Sequence, residues 1–210
     1  MIIYLLIFIV LIIIFIFSSK SLSPIPYFPT QKVDLPKIIK ALNLKQDQTV
    51  VDLGAGDGGV VFKAAKEANR RRLNTKFVAV DINPVLILIM YLKRLFHPNR
   101  KNIRIILGDM FKIDLNVIAR NKVTKQSLFL SFPRSSLSSP RRRGSSLDSP
   151  LQGNDVVFYL YISPWFIDKT LQNIQRQISE FCIVSYMYPV KSLKNTEKII
   201  QGKNKIFIYK

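Results

Sequence analysis

At 210 residues the chain can hold one α/β domain and little more. A single cysteine, Cys182, excludes an internal disulfide, and a single histidine, His97, argues against a His/Cys metal centre, so no metal is expected. The formal net charge of +19 leaves two readings open: an anionic partner such as nucleic acid or a phospholipid surface, or a lysine-rich background composition.

Met1 to Phe17 carries no charge and consists almost wholly of Ile, Leu, Phe and Val. As a helix it would span about 26 Å, slightly less than a hydrocarbon core of roughly 30 Å, and Ser18 and Ser19 could extend it. Residues 1–19 therefore read as a transmembrane anchor. The rival reading, a cleaved signal peptide, lacks a basic leader and an A-x-A site. Lys20, Lys32, Lys37, Lys40 and Lys45 follow the span and no Lys or Arg precedes it. That asymmetry predicts a single-pass membrane protein with its C-terminal domain in the cytoplasm. Residues 20–30, with Pro24, Pro26 and Pro29, form an extended linker that ends in Tyr27-Phe28-Pro29-Thr30. The remaining residues, 31–210, make up the domain. Val33 to Leu44 is expected to be helical, with Val33, Ile38, Ile39 and Leu42 on or near one face and Pro36 in its first turn.

Thr49 to Leu53 is predicted to be a strand, and Gly58 to Arg70 a helix with Val60, Val61, Ala64, Ala65 and Ala68 at helical spacing. Between them lies a glycine-rich turn, as at the start of nucleotide-binding α/β domains, and the helix after it is expected to aim free N–H groups at a ligand's negative end. Two ligands compete. Gly54, Gly56 and Gly59 satisfy the dinucleotide spacing G-x-G-x-x-G. Asp52 and Asp57, however, would repel a pyrophosphate and suit a ligand carrying an ammonium and a sulfonium, as S-adenosylmethionine does. A glycine turn with no ligand is the third reading.

Phe77 to Asp81 is the second strand, and Asp81 lies 27 residues after Gly54, where an acid accepts hydrogen bonds from ribose hydroxyls. Asn83 caps the next helix and Pro84 opens it. Val85 to Leu92 is apolar nearly all round, which predicts a helix that is buried or faces another apolar surface, with the membrane a lesser option. Ile103 to Leu107 is the third strand. Asp109 after it can accept from an adenine amino group, with Met110 or Phe111 over the ring, unless Gly108-Asp109 is only a turn.

Residues 117–154 break the alternation. Nine serines, three prolines and Arg141-Arg142-Arg143 predict a disordered insert, with seven Lys/Arg against one acid. It is read as an insertion, with contact to RNA or anionic lipid as the functional alternative. Asp155 to Tyr161 is the fourth strand. Ser163 and Pro164 start a helix whose core stripe is Ile167, Leu171, Ile174 and Ile178. Phe181 to Tyr186 is the fifth strand, with Cys182 as a core residue. Thr196 to Ile200 and Lys205 to Tyr209 close the sheet as an antiparallel pair.

The pattern Asp52-x-Gly54-x-Gly56-x-Gly58 and the order of parts resemble class I, seven-stranded S-adenosylmethionine-dependent methyltransferases, which have a Rossmann-like sheet with helices on both faces. More narrowly, the chain is similar to membrane-anchored lysine methyltransferases that include the ATP synthase c-subunit enzyme. The apolar N-terminal span, Tyr27-x-Pro29-Thr30, Val51 to Gly58 and Asp81-Ile82-Asn83-Pro84 carry the likeness, over about residues 27–116 and 155–188. Gly59 stands where that family usually has Arg. The resemblance implies that Tyr27 and Thr30 close the cofactor site and that Asp52, Gly54, Ala55, Gly56 and Gly58 hold the methionine moiety. It implies that Asp81, with Ile82 and Asn83, binds the ribose, and Asp109 with Met110 the adenine end. Tyr159 to Trp165 would line the acceptor site, with Tyr161 and Trp165, and less so Tyr159, as an aromatic pocket for a neutral amine.

The expected activity is S-adenosylmethionine-dependent methylation of lysine in a membrane-associated protein. The alternatives are a small-molecule or lipid methyltransferase, and a non-catalytic anchored module that binds nucleic acid. The chain lacks the Asn-Pro-Pro-Tyr/Phe of amino-methylating nucleic-acid enzymes, which disfavours nucleic acid as the acceptor.

Overall fold

A computed structural model of the chain describes residues 3–8, 10, 28–115, 118 and 156–210. In chain order these are α1 (Leu35–Leu42), β1 (Thr49–Leu53), α2 (Gly59–Arg70), β2 (Lys76–Asp81), α3 (Pro84–Leu95), β3 (Ile103–Leu107), β4 (Val156–Leu160), α4 (Pro164–Gln177), β5 (Cys182–Tyr186), β6 (Lys198–Gln201) and β7 (Lys205–Tyr209). One seven-stranded sheet runs β3-β2-β1-β4-β5-β7-β6. The first five strands are parallel, and β7 is antiparallel to both neighbours. The sheet direction switches between β1 and β4, and crevices of open α/β sheets form at such a point.

β1 is buried at every position, as is β4, because both sit inside the sheet with helices on each face. Alternation divides the core. Val50 packs with α1, α2 and Phe77 on one face, and Val51 and Leu53 pack with Ile167, Leu171 and Ile174 of α4 on the other. Ala64, Ala65 and Ala68 are fully buried, so α2 lies close on the sheet where larger side chains would hold it away.

The expected elements form, with informative shifts. α1 begins at Leu35, not Val33, and Val33 is 64% exposed. Asp34 takes the capping position but turns its carboxylate inward, away from the helix amides. Asn83 caps α3 through Oδ1, which accepts from Val85 N at 2.9 Å and Leu86 N at 3.4 Å. Ser163 precedes α4 without a side-chain cap bond. α3 is buried only along Leu86, Ile87 and Met90, so its all-round apolar sequence leaves an exposed apolar side.

Among the described residues no helix is long and apolar enough to cross a membrane. Residues 3–8 and 10 are helical and each more than half exposed. The rest of the expected anchor, most of the linker including Tyr27, and the expected insert apart from Ile118 lie outside the described residues. Ile118 is buried in the core face that also holds Leu115.

Candidate functional site

The C-terminal ends of β1, β2, β3 and β4 open into a crevice of about 540 Å³. Its lining takes in Thr30, Asp52, Gly54 to Asp57, Asp81, Ile82, Asp109, Met110, Tyr159 and Tyr161, which sequence reasoning had scattered over the whole chain. Phe28, Pro29 and Thr30 lie along the same lining, so the stretch that enters the domain borders the crevice.

The turn after β1 depends on left-handed backbone: Gly54, Gly56 and Gly58 have φ of +82°, +59° and +76°. Its amides do not face the crevice as a phosphate cradle. Gly54 N and Ala55 N both donate to Val80 O at 2.9 Å, Gly56 N donates to Asp81 Oδ2 at 2.8 Å, and Gly58 N donates to Ala55 O. Gly59 N donates to Asp57 Oδ1 at 3.2 Å. The amides of Gly54, Ala55, Gly56, Gly58 and Gly59 are thus taken up inside the protein, which weighs against a phosphate cradle built from them.

Carboxylates face the crevice instead. Asp52 is 3% exposed, and no hydrogen bond or ion pair reaches it from the described residues. Burial, together with the negative charges of Asp81 and Asp57, pushes its carboxyl well above the usual range. Asp81 is clasped by two amides, Gly56 N and Asn83 N, each at 2.8 Å. Burial still raises its carboxyl above the ordinary value, against the pull of those bonds. Asp57 differs from expectation: it pairs with Lys93, which also donates to the Asp57 carbonyl at 2.9 Å. Asp81 is therefore the main second carboxylate acting on Asp52, and Asp57 a lesser one. Lys32 and Lys63, the lysines of the lining, are exposed.

At the β3 end, Asp109 Oδ1 accepts from Phe111 N at 2.9 Å, while Oδ2 lies 3.9 Å from Lys112 Nζ. This turn brings Met110 and Phe111 to the lining, and Asn173 of α4 fixes Met110 by donating to its carbonyl at 3.1 Å. At the β4 end, Tyr159 pairs in register with Asp52 across the sheet. The Tyr159 hydroxyl lies 3.3 Å from Thr30 Oγ1, joining the entering stretch to the sheet. Burial raises the hydroxyls of both Tyr159 and Tyr161 above their ordinary range, so neither serves as a base at neutral pH. Tyr161 stacks edge-on against Tyr186 with ring centroids 4.9 Å apart and donates to Met187 Sδ at 3.9 Å.

Three expected site residues do not line the crevice. Asn83 is buried and engaged as the α3 cap. Gly58 is needed for packing, since an added Cβ would lie 2.6 Å from Phe62. Trp165 is 87% exposed on the first turn of α4. His97 lies away from the crevice: its Nδ1 accepts from Asn99 N, and its Nε2 is 3.0 Å from the Phe62 carbonyl. Sequence reasoning missed Phe28, Leu35, Ile39 and Leu86 in the lining, because an apolar residue there carries no motif. Among the described residues no acidic, histidine or cysteine cluster could hold a metal.

No family model matches the chain. It is 37% identical over 59 residues to a protein-lysine N-methyltransferase of Saccharolobus islandicus, covering 28% of this chain and 34% of that protein. It is 31% identical over 98 residues to the Caenorhabditis elegans lysine N-methyltransferase of the ATP synthase c-subunit, covering 44% of this chain and 48% of that protein. A probable ribosomal RNA small subunit methyltransferase A of Methanosarcina mazei matches at 31% over 80 residues, 38% of this chain and 26% of that protein. The chain thus spans about half or less of the length of these curated relatives. Among solved structures, an RNA methyltransferase of Salinibacter ruber in complex with S-adenosyl-L-homocysteine superposes with a TM-score of 0.57 at 15% identity, over 87% of this chain and 92% of that one. The chain has the class I S-adenosylmethionine-dependent methyltransferase fold.

The residues present fit that group. A buried carboxylate without a partner wants a cation, the Asp81 carboxylate retains lone pairs for hydroxyl donors, and Met110, Phe111 and Ile82 offer apolar walls to a ring.

Proposed function

We propose that the chain is an S-adenosylmethionine-dependent methyltransferase that modifies a lysine amine of a membrane-associated protein. In this reading residues 1–19 hold it in the membrane and residues 31–210 work on the cytoplasmic side. The observation that carries the methyl-donor half is the combination of unpartnered Asp52 with a turn in which the Gly54, Ala55, Gly56, Gly58 and Gly59 amides are already engaged. Such a crevice repels phosphate and attracts an ammonium and a sulfonium.

Bound there, the cofactor would supply a methyl carbon already activated by the sulfonium. The chain's own residues then have three tasks. Asp52 holds the amino-acid end by charge, Asp81 orients the ribose hydroxyls, and Asp109 with Met110 fixes the adenine end. Tyr159 and Tyr161 form a desolvated aromatic wall that favours a neutral amine and tolerates its methylated product. Thr30, tied to Tyr159, helps exclude water. The named activities of the Saccharolobus and Caenorhabditis proteins support lysine as the acceptor.

Incubating the protein and membranes with methyl-labelled S-adenosylmethionine tests this reading. Label in a protein band that hydrolyses to methyl-lysine is expected. Label extracted with lipid points to a lipid or small-molecule acceptor and rejects the lysine half. The Methanosarcina relative and the +19 charge favour a second reading, RNA as acceptor, and label in RNA alone would establish it in place of the first.

A further inference from the structure

α3 carries a row of exposed apolar side chains. Leu88, Tyr91, Leu92, Leu95 and Phe96 are 59%, 40%, 53%, 59% and 89% exposed, and they recur at the spacing of one helix face. Isolated apolar residues on a surface need no explanation, but five in one row do. The charged residues along this stretch of sequence have a single sign. Lys93, Arg94, Arg100, Lys101 and Arg104 lie in this stretch, and no Asp or Glu occurs between Asp81 and Asp109. Lys93 is engaged with Asp57, and Arg94 donates to the Arg100 carbonyl. Arg100 and Lys101 are exposed.

An apolar row flanked by cations on a surface helix has the make-up of a helix that lies in a membrane interface. We infer that α3 docks on an anionic lipid bilayer, with Leu88, Leu92, Leu95 and Phe96 in the acyl boundary and the neighbouring Lys and Arg at lipid phosphates. Two features on the molecule favour lipid over another protein surface. First, the five charged residues between Asp81 and Asp109 are all cations, and apart from Lys93, which Asp57 engages, they suit a uniformly negative sheet. Second, the tether is short. Residues 20–27 reach at most about 29 Å, and Phe28, near the end of the expected linker, borders the same crevice as Leu86 of α3. The first turn of the helix and the stretch that enters the domain therefore border the same crevice. The N-terminal helix does not cover the row, since residues 3–8 and 10 are themselves exposed. Docking extends the proposed function, because Leu86 joins α3 to the crevice and the acceptor would meet it beside the lipid surface. It rests on that reading for the tether alone and not for methyl transfer.

The test uses the full chain with Trp165→Phe, which removes the one native indole, and Phe96→Trp as a reporter on the row. The protein is reconstituted with vesicles of brominated phosphatidylcholine and phosphatidylglycerol in a roughly three-to-one mixture. Indole emission is expected to fall by about twofold or more, and to recover when Leu88 and Leu92 are both replaced by Ser. Quenching should weaken in vesicles of brominated phosphatidylcholine alone. Protein that floats with the vesicles while the indole stays unquenched overturns the docking and leaves the anchor intact. Protein that does not float overturns both. Emission already blue-shifted without lipid, and insensitive to brominated lipid, would show the row covered by a segment of this chain or a second copy, and overturns the inference too. Methyl transfer is measured separately, so its failure is not confused with any of these outcomes.

Discussion

The Tyr186 hydroxyl donates a 2.8 Å hydrogen bond to Asp34 Oδ2 across 152 residues of sequence. Lys203 N donates to the other oxygen at 2.7 Å and Asn204 N to Oδ2 at 2.9 Å, so one carboxylate joins the entrance of α1 to β5 and to the β6–β7 turn. Burial opposes its charge, but the bonds from Asn204, Tyr186 and Lys203, with Lys37 nearby, outweigh it and hold the carboxyl below its ordinary range. Burial first, and then the Asp34 charge, raises the Tyr186 hydroxyl to about 12.

Asp34→Ala should therefore destabilise the fold by about 3 kcal/mol, because it leaves buried donors without an acceptor. Urea unfolding measures this. The carboxyl is lowered in the folded state, so its contribution is complete above the ordinary carboxylate range and fades as pH falls through the folded value. The difference between the wild type and Asp34→Asn should shrink correspondingly in acid.

Asp52→Asn should have the opposite effect on stability. The folded carboxyl is raised, so its charge burdens the ligand-free fold at neutral pH and not below the ordinary carboxylate range. The variant should gain about 1–2 kcal/mol at pH 7, or roughly 2–4 °C in Tm per kcal/mol, and nothing near pH 3. Calorimetric titration with S-adenosylmethionine should show affinity lower by at least about tenfold. A variant that is destabilised, or that binds as tightly as wild type, would remove Asp52 from the proposed role.

Gly58→Ala tests the turn. With φ at +76° and Phe62 only 2.6 Å from the new Cβ, both backbone and packing oppose the methyl. A loss of about 2 kcal/mol or more is expected in thermal unfolding. The Phe62→Leu background should return part of it by making room.

Tyr161→Phe and Tyr161→Ala separate two roles of the aromatic wall. A hydroxyl raised above its ordinary range is no base, so the Phe variant should keep kcat within about threefold and show an unchanged pH profile. The Ala variant removes the wall and should lower kcat/KM by about tenfold or more, largely through KM. An equal loss in both would mean that the hydroxyl itself takes part.

Much of this was legible because the signal was local. The alternation of β-branched runs with alanine-faced helices gave the order of elements, and Asp52, Asp81 and Asp109 each fell at a strand end where the sheet direction brings ligands. The rest depended on tertiary partners. Asp57 looked like a cofactor acid, but it pairs with Lys93, 36 residues on. The turn amides looked available until Val80 and Asp81 claimed them. Asp34 carried no motif, since its meaning lies with Tyr186 and Asn204. Composition left α3 either buried or facing another apolar surface, and only the packed structure separates its covered side from its bare one.

β7 follows every other described strand in the sequence yet lies between β5 and β6. During synthesis β5 must wait with an open edge until residues 205–209 have left the ribosome, and the latch at Asp34 cannot close before Lys203 and Asn204 arrive. A nascent chain is therefore expected to stay vulnerable to proteases and to stray strand pairing at β5 until residues 203–209 emerge, and to become resistant once they have paired.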